Sequence, residues 1–118
     1  MSASTSTDPL PRSHQRGLEA ESLVIQKLES QNYRVLEHRF RTPWGEADLL
    51  ILSPKGGWVV IEVKSLGRLD WIERRISRRQ QKRLRNLRSY LESYYGVEVA
   101  LWAAFVLGSQ ILFQPLEA

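Results

Sequence analysis

The sequence predicts an α/β fold, with one mixed sheet and helices packed against it. Two segments, 13–30 and 71–95, carry apolar side chains at helical spacing. Between them, 33–64 holds three strand-like runs, and 97–107 is a nearly unbroken apolar run of the kind found in strands covered on both faces. Helices and strands that alternate in this way build a sheet with helices on it. At 118 residues, 42% apolar and 25% charged, the chain suits one soluble domain, here 13–118.

Residues 1–12 are rich in Ser and Thr, contain Pro9 and Pro11, and offer little apolar surface, so they read as a disordered tail. A transit peptide is the weaker alternative, because the segment is short and poor in arginine. No apolar core of an export signal and no run of ~20 apolar residues is present, which points to a cytoplasmic protein without a membrane span. Cysteine is absent, which excludes disulfides and thiolate metal sites.

In the first helix Leu18, Glu21, Val24, Ile25 and Leu28 share one face, with Glu21 the odd member. A carboxylate inside an apolar stripe either snorkels to water or faces a cation. Residues 33–40 form a first strand of imperfect alternation, followed by a turn at Thr42-Pro43-Trp44-Gly45. His38 has no second histidine near it and reads as a strand-edge residue. Strands 46–52 and 58–64 are joined by the turn Pro54-Lys55-Gly56-Gly57.

That hairpin holds the chemistry. With the turn centred near Lys55, Asp48 stands opposite Glu62 and Glu46 opposite Lys64. Side chains alternate along a strand, so Glu62 and Lys64 share a face while Val59, Ile61 and Val63 take the other. Facing carboxylates repel unless a cation lies between them. A register slip of one residue would separate the pair. With Glu21 added from the helix, three carboxylates can converge. Such a set suits Mg²⁺ or Mn²⁺, which prefer oxygen ligands and retain waters.

Asp70 is placed to cap one long helix over 71–95, on which Ile72, Ile76, Leu84, Leu87, Leu91 and Tyr94 form the apolar arc. Gln80 falls inside that arc and Arg83 at its border. The net charge of +4 is concentrated here. Arg74, Arg75, Arg78, Arg79, Lys82, Arg83, Arg85 and Arg88 follow one another without an acid, while the rest of the chain has nine bases against thirteen acids. A solvated helix face ordinarily mixes signs; a one-signed arc points to phosphates. The four tryptophans can stack on bases, although core packing accounts for most of them. After 97–107, Gly108-Ser109 turns the chain into a short last strand, 110–113.

The combination Gly17, Glu21, Tyr33-Arg34-Val35-Leu36, Arg41, Gly45-Glu46-Ala47-Asp48-Leu49-Leu50 and Val60-Ile61-Glu62-Val63-Lys64 resembles the bacterial YraN-like proteins. That family belongs to the PD-(D/E)XK nuclease superfamily and is similar to archaeal Holliday-junction resolvases. The resemblance runs from Gly17 to Leu91. It implies a restriction-endonuclease-like core in the order helix, three strands, helix, two strands. It also implies that Asp48 is the first acidic motif residue, that Glu62 and Lys64 form the second motif, that Glu21 is the acid of the first helix, and that Gln80 is the polar residue of the later helix. Three positions depart from the family pattern. Ala47 replaces a usual Ile, Arg39 a common Asn, and Leu101-Trp102-Ala103 a typical Arg-Phe-Asp.

The expected function is a Mg²⁺- or Mn²⁺-dependent DNA endonuclease, acting on branched or double-stranded DNA. Glu21, Asp48, Glu62 and the Val63 carbonyl are the metal set, and Lys64 and Gln80 the supporting catalytic residues. Arg74, Arg75, Arg78, Arg79, Lys82 and Arg85 are the phosphate contacts. Cutting a symmetric junction would favour a homodimer. The alternatives are a non-catalytic nucleic-acid-binding protein that keeps the nuclease fold, and a scaffold whose arginine face meets an acidic protein.

Overall fold

The computed structural model describes residues 12–116. Of the tail read over residues 1–12, residues 1–11 lie outside them; Arg12 belongs to the first helix instead. The elements are α1 (Arg12–Ser30), β1 (Arg34–Thr42), β2 (Gly45–Leu52), β3 (Trp58–Ser65), α2 (Arg68–Ile72), α3 (Arg78–Tyr95), β4 (Val99–Leu107) and β5 (Gln110–Pro115). They form the expected mixed five-stranded sheet, in the order β1-β2-β3-β4-β5. β3 and β4 are parallel and the other neighbours antiparallel. The parallel pair requires a crossover, which α2 and α3 supply. No helix of the described residues is long and apolar enough to cross a membrane.

The two faces of the sheet bury separate cores. On one, Ala20, Val24 and Leu28 of α1 pack on Leu49, Ile51, Val59, Ile61, Ala104 and Val106. On the other, Leu84, Leu87 and Leu91 of α3 pack on Leu50, Val60, Leu101, Ala103 and Phe105. β4 feeds alternate side chains to both cores, which explains why its sequence is apolar throughout.

The long helix expected over 71–95 is instead two. Arg74, Arg75, Ile76 and Ser77 lie outside any helix, and Ser77 caps α3 by accepting the Gln80 N–H at 3.2 Å. A continuous helix would have stacked Arg74 under Arg78 and Arg75 under Arg79, like charges one turn apart. The break relieves this and lets Ile76 reach the core. Asp70 is not a cap: Gly67 holds the N-cap position of α2, without a side-chain bond. Ile72, expected in the apolar arc, is 79% exposed, and Tyr94 is 68% exposed. The α3 end is as expected, with Gly96 in the left-handed region (φ 66°) donating to the Glu92 carbonyl.

Candidate active site

The candidate site lies where β2 and β3 separate. Their ladder runs from Leu52↔Trp58 to Leu49↔Ile61, the register expected from a turn centred at Lys55. One further step would set Asp48 against Glu62. Instead, the Asp48 side chain takes the next rung: its Oδ2 accepts the Val63 N–H at 2.7 Å. The carboxylate thus stands in for a backbone carbonyl, and the strands fork around it.

Alternation along β2 also breaks at this residue. Leu49 and Ile51 belong to the α1-side core, yet Ala47 packs with the α3-side core. On the neighbouring strand, Arg39 falls between the pairs His38↔Leu49 and Phe40↔Ala47, and so opposite Asp48. Its φ of 56° is left-handed, an uncommon state for a non-glycine residue. The strand pair turns over at Arg39 and Asp48, so each side of the fork contributes groups to one place.

The two acids interact strongly. Burial, and then the charge of Asp48, push the Glu62 carboxyl up to about 8. Burial also raises Asp48, against the lowering effect of the Val63 N–H; the nearby Glu21 charge raises it further. Two like charges in a part-buried site resist joint ionisation, which is why both carboxyls are raised. Arg83 and Lys64 oppose the Glu62 shift, which places their charges near it. Gln80 reaches from the first turn of α3, its Nε2 donating to Glu62 Oε2 at 3.1 Å.

Glu21 points to the sheet as the helical pattern requires, and is 5% exposed. Its carboxylate is held by residues that sequence reasoning left without a role. His38 Nε2 lies 2.6 Å from Oε1, and Arg39 donates to Oε1 and Oε2 at 3.2 and 3.4 Å. A buried acid in an apolar stripe needs a cation, and the adjacent pair His38-Arg39 was the available signal. Arg83 is the third residue missed. Its aliphatic stem rests on Gly45, where a Cβ would stand 2.8 Å from Cδ.

The donor set fits a hard divalent cation: two part-buried carboxylates, close enough to raise one another, at a fork whose own electrostatics disfavour the fully charged pair. Among the described residues no three His, Cys, Asp or Glu side chains converge tightly enough to hold a metal ion. Waters and main-chain oxygens would complete the shell.

The predicted phosphate contacts divide. Arg75, Arg78, Arg79 and Lys82 are exposed, and Arg85 is half-buried. Arg74 turns inward: it donates to the Trp71 carbonyl at 2.7 Å, lies 5.1 Å from the Trp71 ring centroid, and keeps a buried, unpartnered Nε. Arg74 and Arg75 sit before α3 and not on its face.

The model of the uncharacterised protein family UPF0102 matches residues 20–104, which span the fork, α2, α3 and parts of α1 and β4. This chain belongs to the UPF0102 family. A UPF0102 protein of Rhodopseudomonas palustris (strain BisA53) is 44% identical over 69 residues, covering 58% of this chain and 52% of the relative. One from Parvibaculum lavamentivorans is 37% identical over 79 residues, covering 67% and 59%. The chain thus spans between half and three-fifths of the length of these UPF0102 relatives. Among solved structures, the EndoMS-dsDNA2 complex matches with a TM-score of 0.58 at 17% identity, over 91% of this chain and 43% of the other. The likeness carries the fold, and this UPF0102 chain has the restriction-endonuclease-like architecture that the YraN-like resemblance implied.

Proposed function

We propose that this UPF0102 chain is a Mg²⁺- or Mn²⁺-dependent DNA endonuclease. The observation that carries the reading is the forked ladder, which brings the part-buried Asp48 and Glu62 close enough to interact on a nuclease-like fold. Asp48 and Glu62 would hold the cation, with the Val63 carbonyl as a further oxygen and Glu21 acting through water. The bound cation would supply a water of lowered pKa and neutralise charge on the phosphate. Gln80 fixes the Glu62 carboxylate, so that its lone pairs stay aimed into the cleft. Lys64, on the same strand face as Glu62, brings positive charge to where the phosphorane gains negative charge. Arg78, Arg79 and Lys82 hold the backbone without reading sequence, and the substrate is branched or double-stranded DNA.

Cleavage of branched and linear DNAs with and without Mg²⁺ or Mn²⁺, run beside Asp48→Ala, tests this. Metal-dependent cutting by the wild type, absent in the variant, is expected. Cutting that survives Asp48→Ala and Glu62→Ala sinks the mechanism.

The second reading is a nucleic-acid-binding protein that keeps the fold without the chemistry. The commitment of Glu21 to His38 and Arg39 favours it, since a third acid already neutralised is a poor metal ligand. It predicts DNA binding that is indifferent to Mg²⁺ and to Asp48→Ala.

A further inference from the structure

Along one flank of α3 the side chains Arg79, Arg83, Asn86, Tyr90 and Tyr94 recur at intervals of three and four, so they form a single line. The line begins beside the fork, where Arg83 lies on Gly45. Further along, Trp44, Asn86, Ser89, Tyr90 and Ser93 line an open surface depression of about 340 Å³. Tyr90 also lines an adjoining groove of about 780 Å³, walled by Phe40, Trp58 and Tyr95 and edged by Arg39 and Arg41.

The aromatic rings here are presented to solvent. Trp44, Tyr94 and Tyr95 are 55%, 68% and 54% exposed. Tyr90 and Tyr94 stack at 5.7 Å and 13°, and Tyr94 meets Tyr95 edge to face at 4.8 Å. Contiguous exposed aromatic surface marks a contact for a partner. Cations at one end and ring faces at the other narrow its chemistry. A duplex hides the faces of its bases, and an apolar protein surface would leave Arg79 and Arg83 unpaired. Single-stranded DNA offers phosphates to the arginines and base faces to the rings.

We propose that unpaired nucleotides of a DNA substrate run along this flank of α3 and stack on Trp44, Tyr90 and Tyr94. The inference deepens the nuclease reading by assigning a substrate class to the same site, and in that respect rests on it. Tyr90 follows Gln80 by ten residues, so the stacked bases lie ~15 Å along the helix from the carboxylates. The protein then distinguishes overhangs, flaps and splayed junction arms from closed duplex, although nothing in it reads sequence.

The test uses the full chain without divalent metal and two DNA hairpins of equal duplex length. One is blunt; the other bears a single-stranded overhang containing 2-aminopurine. The wild type should bind the overhang probe at least ~10-fold more tightly at equal salt and quench the 2-aminopurine, because a stacked base is worth roughly 5- to 100-fold in affinity. Trp44→Ala with Tyr94→Ala, both at exposed positions, should abolish the preference, and Trp44→Phe should retain it. Equal affinity of the wild type for both probes, or a preference that survives the double substitution, overturns the proposal. So does sedimentation showing a dimer that the double substitution dissociates while overhang binding stays unchanged. Asp48→Asn must keep the preference. Should the wild type cut no DNA yet prefer the overhang, the nuclease reading fails and this one stands.

Discussion

The Val63 N–H donates to Asp48 Oδ2 at 2.7 Å, so a side chain replaces a main-chain rung at the position where β2 leaves β3. Removing the acid therefore has two separable effects. Asp48→Asn keeps an acceptor for Val63 and removes a charge that repels Glu62. Asp48→Ala leaves the N–H without a partner, at a cost of about 1–3 kcal/mol. Urea unfolding of the metal-free protein should rank Asp48→Asn at or above wild type and Asp48→Ala below it. Both should lose metal-dependent cleavage.

The acid pair also makes stability depend on pH in a stated direction. Glu62 is raised to about 8 from an ordinary carboxylate value near 4.5. Between those values the folded protein binds the proton more readily than the unfolded chain, so stability falls as pH rises. Metal-free protein should melt at a higher temperature at pH 6 than at pH 8, and Glu62→Gln should flatten that difference. Mn²⁺ should reverse the order by stabilising more at pH 8, where no proton competes for the carboxylates. Thermal melts at the two pH values, with EDTA and with Mn²⁺, check both statements.

Gly45 has φ 135°, and a methyl group there would meet the stem of Arg83. Gly45→Ala should destabilise by ~1–3 kcal/mol, mainly through backbone strain. Arg83→Ala in the same chain removes the contact but not the strain, so it should restore only part of the loss. A double-mutant cycle by denaturant unfolding separates the two contributions.

Arg74 and Lys82 should behave differently although both belong to the basic run. Lys82→Ala should reduce the slope of log affinity against log salt by about 1, as expected for one lost phosphate contact. Arg74→Ala should leave that slope unchanged and lower stability, because its guanidinium serves the Trp71 carbonyl and ring. DNA-binding titrations across salt, with melting curves of the free variants, distinguish the roles.

Glu21 provides a fifth test. Glu21→Leu suits the apolar stripe of α1 and should cost little stability, since the partners it leaves behind, His38 and Arg39, are 42% and 37% exposed and can turn to water. If the acid acts on the cation through water, Mn²⁺ affinity measured by calorimetry should still fall several-fold. An unchanged affinity would confine Glu21 to ordering His38 and Arg39.

What the sequence displayed was determined by periodicity. Strand register from Leu49 to Trp58 followed from one turn; the next pair, Asp48 with Glu62, does not form, because the ladder forks there. Helical spacing aimed Gln80 and Glu21 inward, and each has a partner there. The misses share another cause. A single-period reading carries a helix through any amphipathic stretch, and 71–95 is amphipathic even across its break. The signal lay in Ser77, a capping residue set between two pairs of like charges. The fork at Asp48 was invisible because it arises where alternation fails, at a left-handed Arg39 that no residue type announces. The roles of His38 and Arg39 depend on that failure.

The meander β1-β2-β3 is contiguous, whereas the pairing of β3 with β4 waits for residues 66–98 to loop back. Contacts of short sequence separation form early in folding, and those across a long crossover form late. Asp48 and Glu62 therefore meet in water, and lose part of that water only when α3 and β4 pack beside them. The dehydration of two like charges falls on this closing step, which makes the acid pair a brake on the chain's own assembly. Acidity or a divalent cation releases the brake, and refolding followed by stopped flow should quicken from pH 8 to pH 6.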